Sequence, residues 1–399
     1  MKPQGATRSS RSSPHGRRRR GPASCASARR RPERQVIEVL DWWEQELRLG
    51  FMMNSSYQES PQMDMNRPRP IEQQTFNAQK LTEMHPPRLR NRNKRLVYSI
   101  ACPPGCTHGG EVVYSRWDAM PLPVQLDLDR RQTEIESRED HYDYALTRSD
   151  SESVEWHVNF ADPHLFVAYG TSLFAQDEIQ AAEHPSLGSL REALLADDKA
   201  PVTVDRGYPT PILVRGVERR CAVATDPNPS EGRPDGLYGN AFARAGEDAI
   251  QCATLRIEPP TITNLIAMAA PDGGWGEYSQ DEVEYVLTTA YSGFCAARLE
   301  SSTGSDTMPA VVIHTGFWGC GAFGGNRVLM PILQVLAAHL AGVDAVVFHT
   351  FNPAGARALA QARDVLQEKL ITSVRQPVVS DLINRIVGMS FRWGVSDGN

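Results

Sequence analysis

Ala310-Val311-Val312-Ile313, then Gly316-Phe317-Trp318-Gly319-Cys320-Gly321-Ala322-Phe323-Gly324-Gly325, then Ala345-Val346-Val347-Phe348: this stretch decides the fold. The first run is too short for a helix and β-branched enough for a buried parallel strand. Five glycines follow, and Asn326 can cap a helix in which Leu329, Leu333, Leu336 and Leu340 recur at helical spacing. Gly342 supplies the stop, and the second apolar run supplies the next strand. Strand, loop, helix and strand make a right-handed βαβ unit with parallel strands. In an open α/β sheet the ligand crevice lies beyond the carboxyl ends of the strands, where the glycine loop falls. Backbone N–H groups there and the following helix N-terminus suit phosphate, and Trp318 and Phe323 are placed to wall a pocket or stack on a ring. A tight turn with both aromatics in the core is the other reading. The loop matches neither the P-loop nor the dinucleotide fingerprint.

The chain has 399 residues, 41% of them hydrophobic, enough for one large core or two modest ones. Formal net charge is −6. About eleven Lys and Arg crowd the first 35 residues against one acid, so the remainder is clearly acidic. An acidic body argues against nucleic-acid binding by the folded part. No apolar run approaches the roughly 20 residues of a membrane span. No apolar signal-peptide core follows the N-terminal arginines, and seven scattered cysteines suit a reducing, cytoplasmic setting.

Composition divides the chain. Residues 1–35 form a basic, disordered tail, or a misassigned start with Met52 and Met53 as alternatives. Residues 36–94 are expected to hold a helix (Val36 to Leu49) and a polar, proline-punctuated linker, 95–375 the folded domain and 376–399 a tail. Cys102, Cys106 and His108 could begin a zinc site, but no second ligand pair follows, so a Pro/Gly turn with two free thiols is expected. Val154 to Phe160 is a strand. Ser172 to Glu183 is a helix ended by Pro185, with Ala175, Ile179 and Ala182 as its buried stripe. Glu178 lies one step from that stripe, at an edge where burial would keep its carboxyl protonated; a solvated acidic face is the plain alternative. Arg219-Arg220-Cys221 opens a polar, glycine-rich region taken as insertion or loops. Thr263 to Ala269 is a strand, and Asp281 to Phe294 and Ala354 to Ile371 are helices.

Thr315 to Gly325 resembles the T-G-N-W-G-C-G-A-F-G-G signature of poly(ADP-ribose) glycohydrolases, with Phe317 where that family has Asn. Val158 to Ile179 is similar, without a gap, to the family run V-D-F-A-N-K-x-I-G-G-G-V-L-G-x-G-C-V-Q-E-E-I. Ala290-Tyr291-Ser292-Gly293-Phe294 and Thr350-Phe351 extend the likeness, which covers roughly residues 95 to 370. The resemblance implies an α/β macro domain: a mixed sheet flanked by helices, here with a small N-terminal helical extension. It puts Glu178 on the family's catalytic acid, Asp177 and Gln176 on the preceding Glu and Gln, and Asp162 on an Asn beside the ribose. Gly319, Gly321, Ala322, Phe323 and Gly324 fall on the diphosphate loop, with Tyr238 and Phe351 as pocket walls. The family's triple glycine falls on Phe166-Val167-Ala168.

The expected function is therefore hydrolysis of ribose–ribose O-glycosidic bonds in poly(ADP-ribose), or a related ADP-ribosyl linkage, on modified proteins. Glu178 would act as general acid and base, with no metal or cofactor. A non-catalytic ADP-ribose or nucleotide reader is the alternative, favoured by the lost triple glycine. A thiol hydrolase using Cys320 with His314 or His339 as base is a third reading.

Overall fold

The computed structural model describes residues 68–128, 133–147, 153–302, 308–371, 376–396 and 398. The basic tail and the helix expected over Val36 to Leu49 lie outside them. Ten strands and ten α-helices make up the described chain. The strands are β1 (Glu72–Asn77), β2 (Glu111–Arg116), β3 (Glu134–Arg138), β4 (Ser153–Phe160), β5 (Val204–Asp205), β6 (Tyr208–Pro209), β7 (Ile212–Val223), β8 (Thr254–Met268), β9 (Ala310–Thr315) and β10 (Ala345–His349). The helices are α1 (Ala78–Met84), α2 (Arg92–Ala101), α3 (Gln176–Glu183), α4 (Ser186–Ala196), α5 (Ala241–Arg244), α6 (Glu247–Ala253), α7 (Gln280–Ser301), α8 (Leu329–Ala341), α9 (Pro353–Val365) and α10 (Val379–Gly388).

Eight strands form one mixed sheet in the order β1-β2-β7-β8-β4-β9-β10-β3. From β8 to β3 the pairs are parallel; β7, β2 and β1 add an antiparallel edge. One face buries Trp156, Val158, Ile266, Val311, Ile313 and Val346 beneath α7, α8 and α10. On the other, α1 and α4 cover the antiparallel half through Leu81, Leu190 and Leu194. The decisive βαβ unit is β9-α8-β10, as its sequence implied. Asn326 Oδ1 accepts from the N–H groups of Val328 and Leu329 at 2.9 and 3.0 Å, and Gly342 closes α8 at φ +67°.

Three expectations fail, each for a physical reason. Residues 72–101 are a strand and two helices, with the buried Ala78, Leu81, Val97 and Ala101 tying them to the domain. Arg219, Arg220 and Cys221 lie inside β7, not in a loop; their charges are buried because Arg219 pairs with Glu183 at 2.9 Å and Arg220 with Glu218 at 2.7 Å. Residues 379–388 are a helix on α7, with Leu382, Ile383 and Ile386 buried, so the C-terminal region is no simple tail. Truncating the fully buried Leu382 to Ala should cost about 2–5 kcal/mol. Urea unfolding would show it, and an unchanged midpoint would contradict the packing.

Candidate active site

The strand β4 carries two kinds of side chain. Trp156 and Val158 join the apolar core, whereas the alternate Glu155, His157 and Asn159 are buried on the opposite face. That face is roofed by α3 and by residues 139–147. Asn159 Nδ2 donates to Asp177 Oδ1 at 3.0 Å and to Gln180 Oε1 at 2.9 Å. Gln176 extends the β4 edge: its Oε1 accepts from Phe160 N–H at 2.8 Å and its Nε2 donates to the Val158 carbonyl at 3.2 Å. The hydroxyl of Tyr142 donates to the carbonyls of Val158 (3.1 Å) and His314 (3.2 Å). Beneath it, Glu155, His314, His349 and Asp140 form a chain of contacts at 2.9, 3.1 and 2.9 Å. Burial pushes His349 down to about 4 and keeps it neutral.

The helix begins at Gln176, later than its sequence implied, and it is the polar side that is deeply buried. Asp177, Glu178, Gln180 and Glu183 are covered, while Ala175, Ile179 and Ala182 are only half-buried. Both sides of α3 are packed, so apolar spacing alone misplaces its inner face. Glu178 Oε2 accepts from Ala175 N–H at 3.0 Å, a capping interaction. Burial raises the Glu178 carboxyl; the Lys94 ammonium and the Ala175 N–H pull it back. Burial, then the neighbouring Glu178 charge, raises Asp177 to about 8. Both carboxyls are thus shifted toward the protonated form.

A cleft of about 570 Å³ opens beyond the carboxyl ends of the parallel strands. Asp162, Gln176, Asp177, Glu178, Tyr238, Gly319, Gly321, Ala322, Phe323 and Phe351 all line it. Gly324 does not; its carbonyl accepts from Gly394 N–H at 2.8 Å behind the loop. Gln176, though at the wall, spends its amide on β4. Asp162 Oδ1 accepts from His164 N–H. In the glycine loop, internal bonds engage the N–H groups of Trp318, Cys320, Gly324 and Gly325. Those of Gly319, Gly321, Ala322 and Phe323 make no bond among the described residues, and all four residues line the cleft. Four free N–H groups at one wall are a receptor for an anion. Trp318 is a fully buried wall whose indole N–H donates to the Met268 carbonyl. The thiol reading loses its parts: burial raises Cys320 to about 12, His314 is engaged by Glu155 and His349, and His339 faces Thr133.

Residues 238–358 match the family model described as poly(ADP-ribose) glycohydrolase, macro domain fold. That span contains the glycine loop and β8 to β10; α3 with its acids lies before it. A probable poly(ADP-ribose) glycohydrolase 2 of Arabidopsis thaliana is 29% identical over 184 residues, covering 38% of this chain and 34% of that protein. Over this region the chain is similar to the poly(ADP-ribose) glycohydrolases. The matched region spans only about a third of that curated relative. Solved poly(ADP-ribose) glycohydrolases from Thermomonospora curvata (18% identity, TM-score 0.38, covering 73% of this chain and 85% of that one) and Deinococcus radiodurans bound to ADP-ribose (14%, 0.37, 73% and 93%) are also similar.

Two departures from the glycohydrolase pattern acquire a structure. Phe166, at a triple-glycine position, has φ +51° and is fully buried against Leu165 and Leu187. This loop closes on itself only in part, the N–H groups of Val167, Tyr169 and Thr171 donating to the carbonyls of His164, Phe166 and Ala168. It is also fastened to the preceding chain. The Gly170 carbonyl accepts from Arg90 and Asn91, and a Cβ at Gly170 would sit 2.4 Å from the Arg88 carbonyl oxygen. Lys94 Nζ donates to the Tyr169 and Ala168 carbonyls at 2.7 and 3.3 Å. Phe317, where the family has Asn, carries the Arg327 guanidinium over its ring at 4.2 Å, adding a cation to the cleft. Sequence reading missed Lys94, Asn159 and Arg327, because long-range contacts alone bring them to the site. Replacing Lys94 by Met strands two carbonyls and should lower stability by about 1–3 kcal/mol. Calorimetry would register the drop, and an unmoved melting temperature would refute the anchoring.

Proposed function

We propose that the chain hydrolyses the ribose–ribose O-glycosidic bond of poly(ADP-ribose), or a related ADP-ribosyl linkage on modified proteins. One observation supports this most: the acidic pair at 177–178 and the glycine loop at 319–323 line a single cleft. The free N–H groups of that loop, with Arg327, would hold the diphosphate and so fix the adjoining ribose beside the acids. Glu178, whose carboxyl burial shifts toward the protonated form, would protonate the departing hydroxyl oxygen as positive charge builds on the anomeric carbon. The carboxylate left behind would then take a proton from the attacking water, which returns Glu178 to its starting form. Asp177 holds the ribose side, and burial together with the Glu178 charge beside it raises its own carboxyl.

Glu178→Gln should lower turnover at least about a hundredfold with ADP-ribose affinity little changed. Poly(ADP-ribose) digestion and calorimetric titration would separate the two effects. Wild-type binding without release of ADP-ribose from any linkage would instead favour a reader module, which Phe166-Val167-Ala168 in place of the triple glycine makes the one specific competitor. The pH dependence follows from the raised carboxyls. A general acid works only while protonated, and burial raises the Glu178 carboxyl above its ordinary range, so the rate should fall as pH rises through that raised pKa. Asp177→Asn removes the carboxylate expected on the ribose side and should weaken ADP-ribose binding, read by the same titration. A Gly321→Val chain should bind ADP-ribose more than about tenfold more weakly, roughly 1.4 kcal/mol, and unchanged affinity would place the diphosphate elsewhere.

A further inference from the structure

Away from the cleft, the turn between α2 and β2 brings Cys102, Cys106 and His108 together. One donor atom of each lies within 4.8 Å of the others, and all three residues are half-buried. None lines the cleft. Zinc bonds of about 2.0–2.3 Å separate neighbouring tetrahedral donors by roughly 3.5–4 Å, so a small inward closure would complete the set.

The surroundings fit a metal better than a bare turn. His108 Nδ1 lies 3.0 Å from Glu218 Oε2, with side chains only 5% and 10% exposed. That carboxylate is itself held by Gly109 N–H at 2.9 Å and by Arg220 Nε at 2.8 Å. A carboxylate on one ring nitrogen fixes the tautomer and presents the other to a cation, as in metal-bound histidines generally. The turn is held by its backbone as well: Cys106 N–H donates to the Pro103 carbonyl, His108 N–H to Gln79 Oε1, and Gly105 adopts φ +82°. The donors are two sulfurs and one imidazole, which select a thiophilic divalent ion over magnesium or calcium.

We propose that Cys102, Cys106 and His108 bind one zinc ion, with solvent at the fourth position and Glu218 as the positioning residue. Binding converts two thiols to thiolates and releases two protons, so the dipositive ion and its sulfurs are neutral together. The ion would tie the end of α2 to β7 through His108 and Glu218. That would stiffen the helix whose other end carries Lys94.

Full-length protein, isolated reduced from zinc-supplemented cells, should contain about one zinc per chain. A Cys102→Ser, Cys106→Ser double variant should contain almost none. Cobalt added to the metal-free wild type should produce sulfur-to-cobalt charge-transfer absorption, a readout that does not require the variant to fold. Glu218→Gln should keep that absorption and weaken cobalt binding about tenfold to a hundredfold. Absence of the absorption in the wild type, or its persistence in the double variant, would overturn the proposal.

Discussion

Everything at the cleft depends on burying the polar face of β4. Glu155 and Asn159 find partners under α3, where each unpaired polar group would cost about 1–3 kcal/mol. Neither ring nitrogen of His157, by contrast, has a hydrogen-bond partner among the described residues, and its ring stacks on His314. Asn159 donates both amide protons to α3, one to Asp177 and one to Gln180. The helix is thereby locked with its first turn over the strand end, and its acids are drawn into low dielectric. The same contact therefore fixes the orientation of α3, while the Asn159 donor partly offsets the rise that burial imposes on Asp177.

The two walls of the cleft are built differently. At the β9 end, the glycine loop turns tightly on its own bonds and leaves four N–H groups without a bond among the described residues. At the β4 end, the segment from 166 to 172 is consumed by packing and by its ties to residues 88–94. On the proposed reading phosphate would be recognised at the glycine loop, helped by Arg327, with the other wall supporting the acids. Lys94 links the two duties, since it bonds the scaffold loop and supplies the positive charge that offsets Asp177 and Glu178.

Much of this was legible in local pattern. The β9-α8-β10 unit shows itself through short apolar runs, Asn326 and Gly342, all of which act over a few residues. The glycine loop and the Asp177-Glu178 pair could be matched to a family because their chemistry is concentrated in contiguous motifs. β7 could not be read: its Glu218, Arg219 and Arg220 look like a solvated loop until Glu183, His108 and each other neutralise them. β1 is short and alternates between half-buried and exposed positions, so it carries almost no apolar signal. α10 is different, since Val379, Leu382, Ile383 and Ile386 stand at helical spacing and the signal was present in the sequence.

The central claim is that ADP-ribose seats its diphosphate on the N–H groups of Gly319 to Phe323. Amide hydrogen exchange with and without ADP-ribose tests it most directly. Strong protection of the 316–327 peptide, with much smaller change across 166–172, is the predicted result. Protection confined to 166–172, or none at either segment with the ligand saturating, would contradict the account.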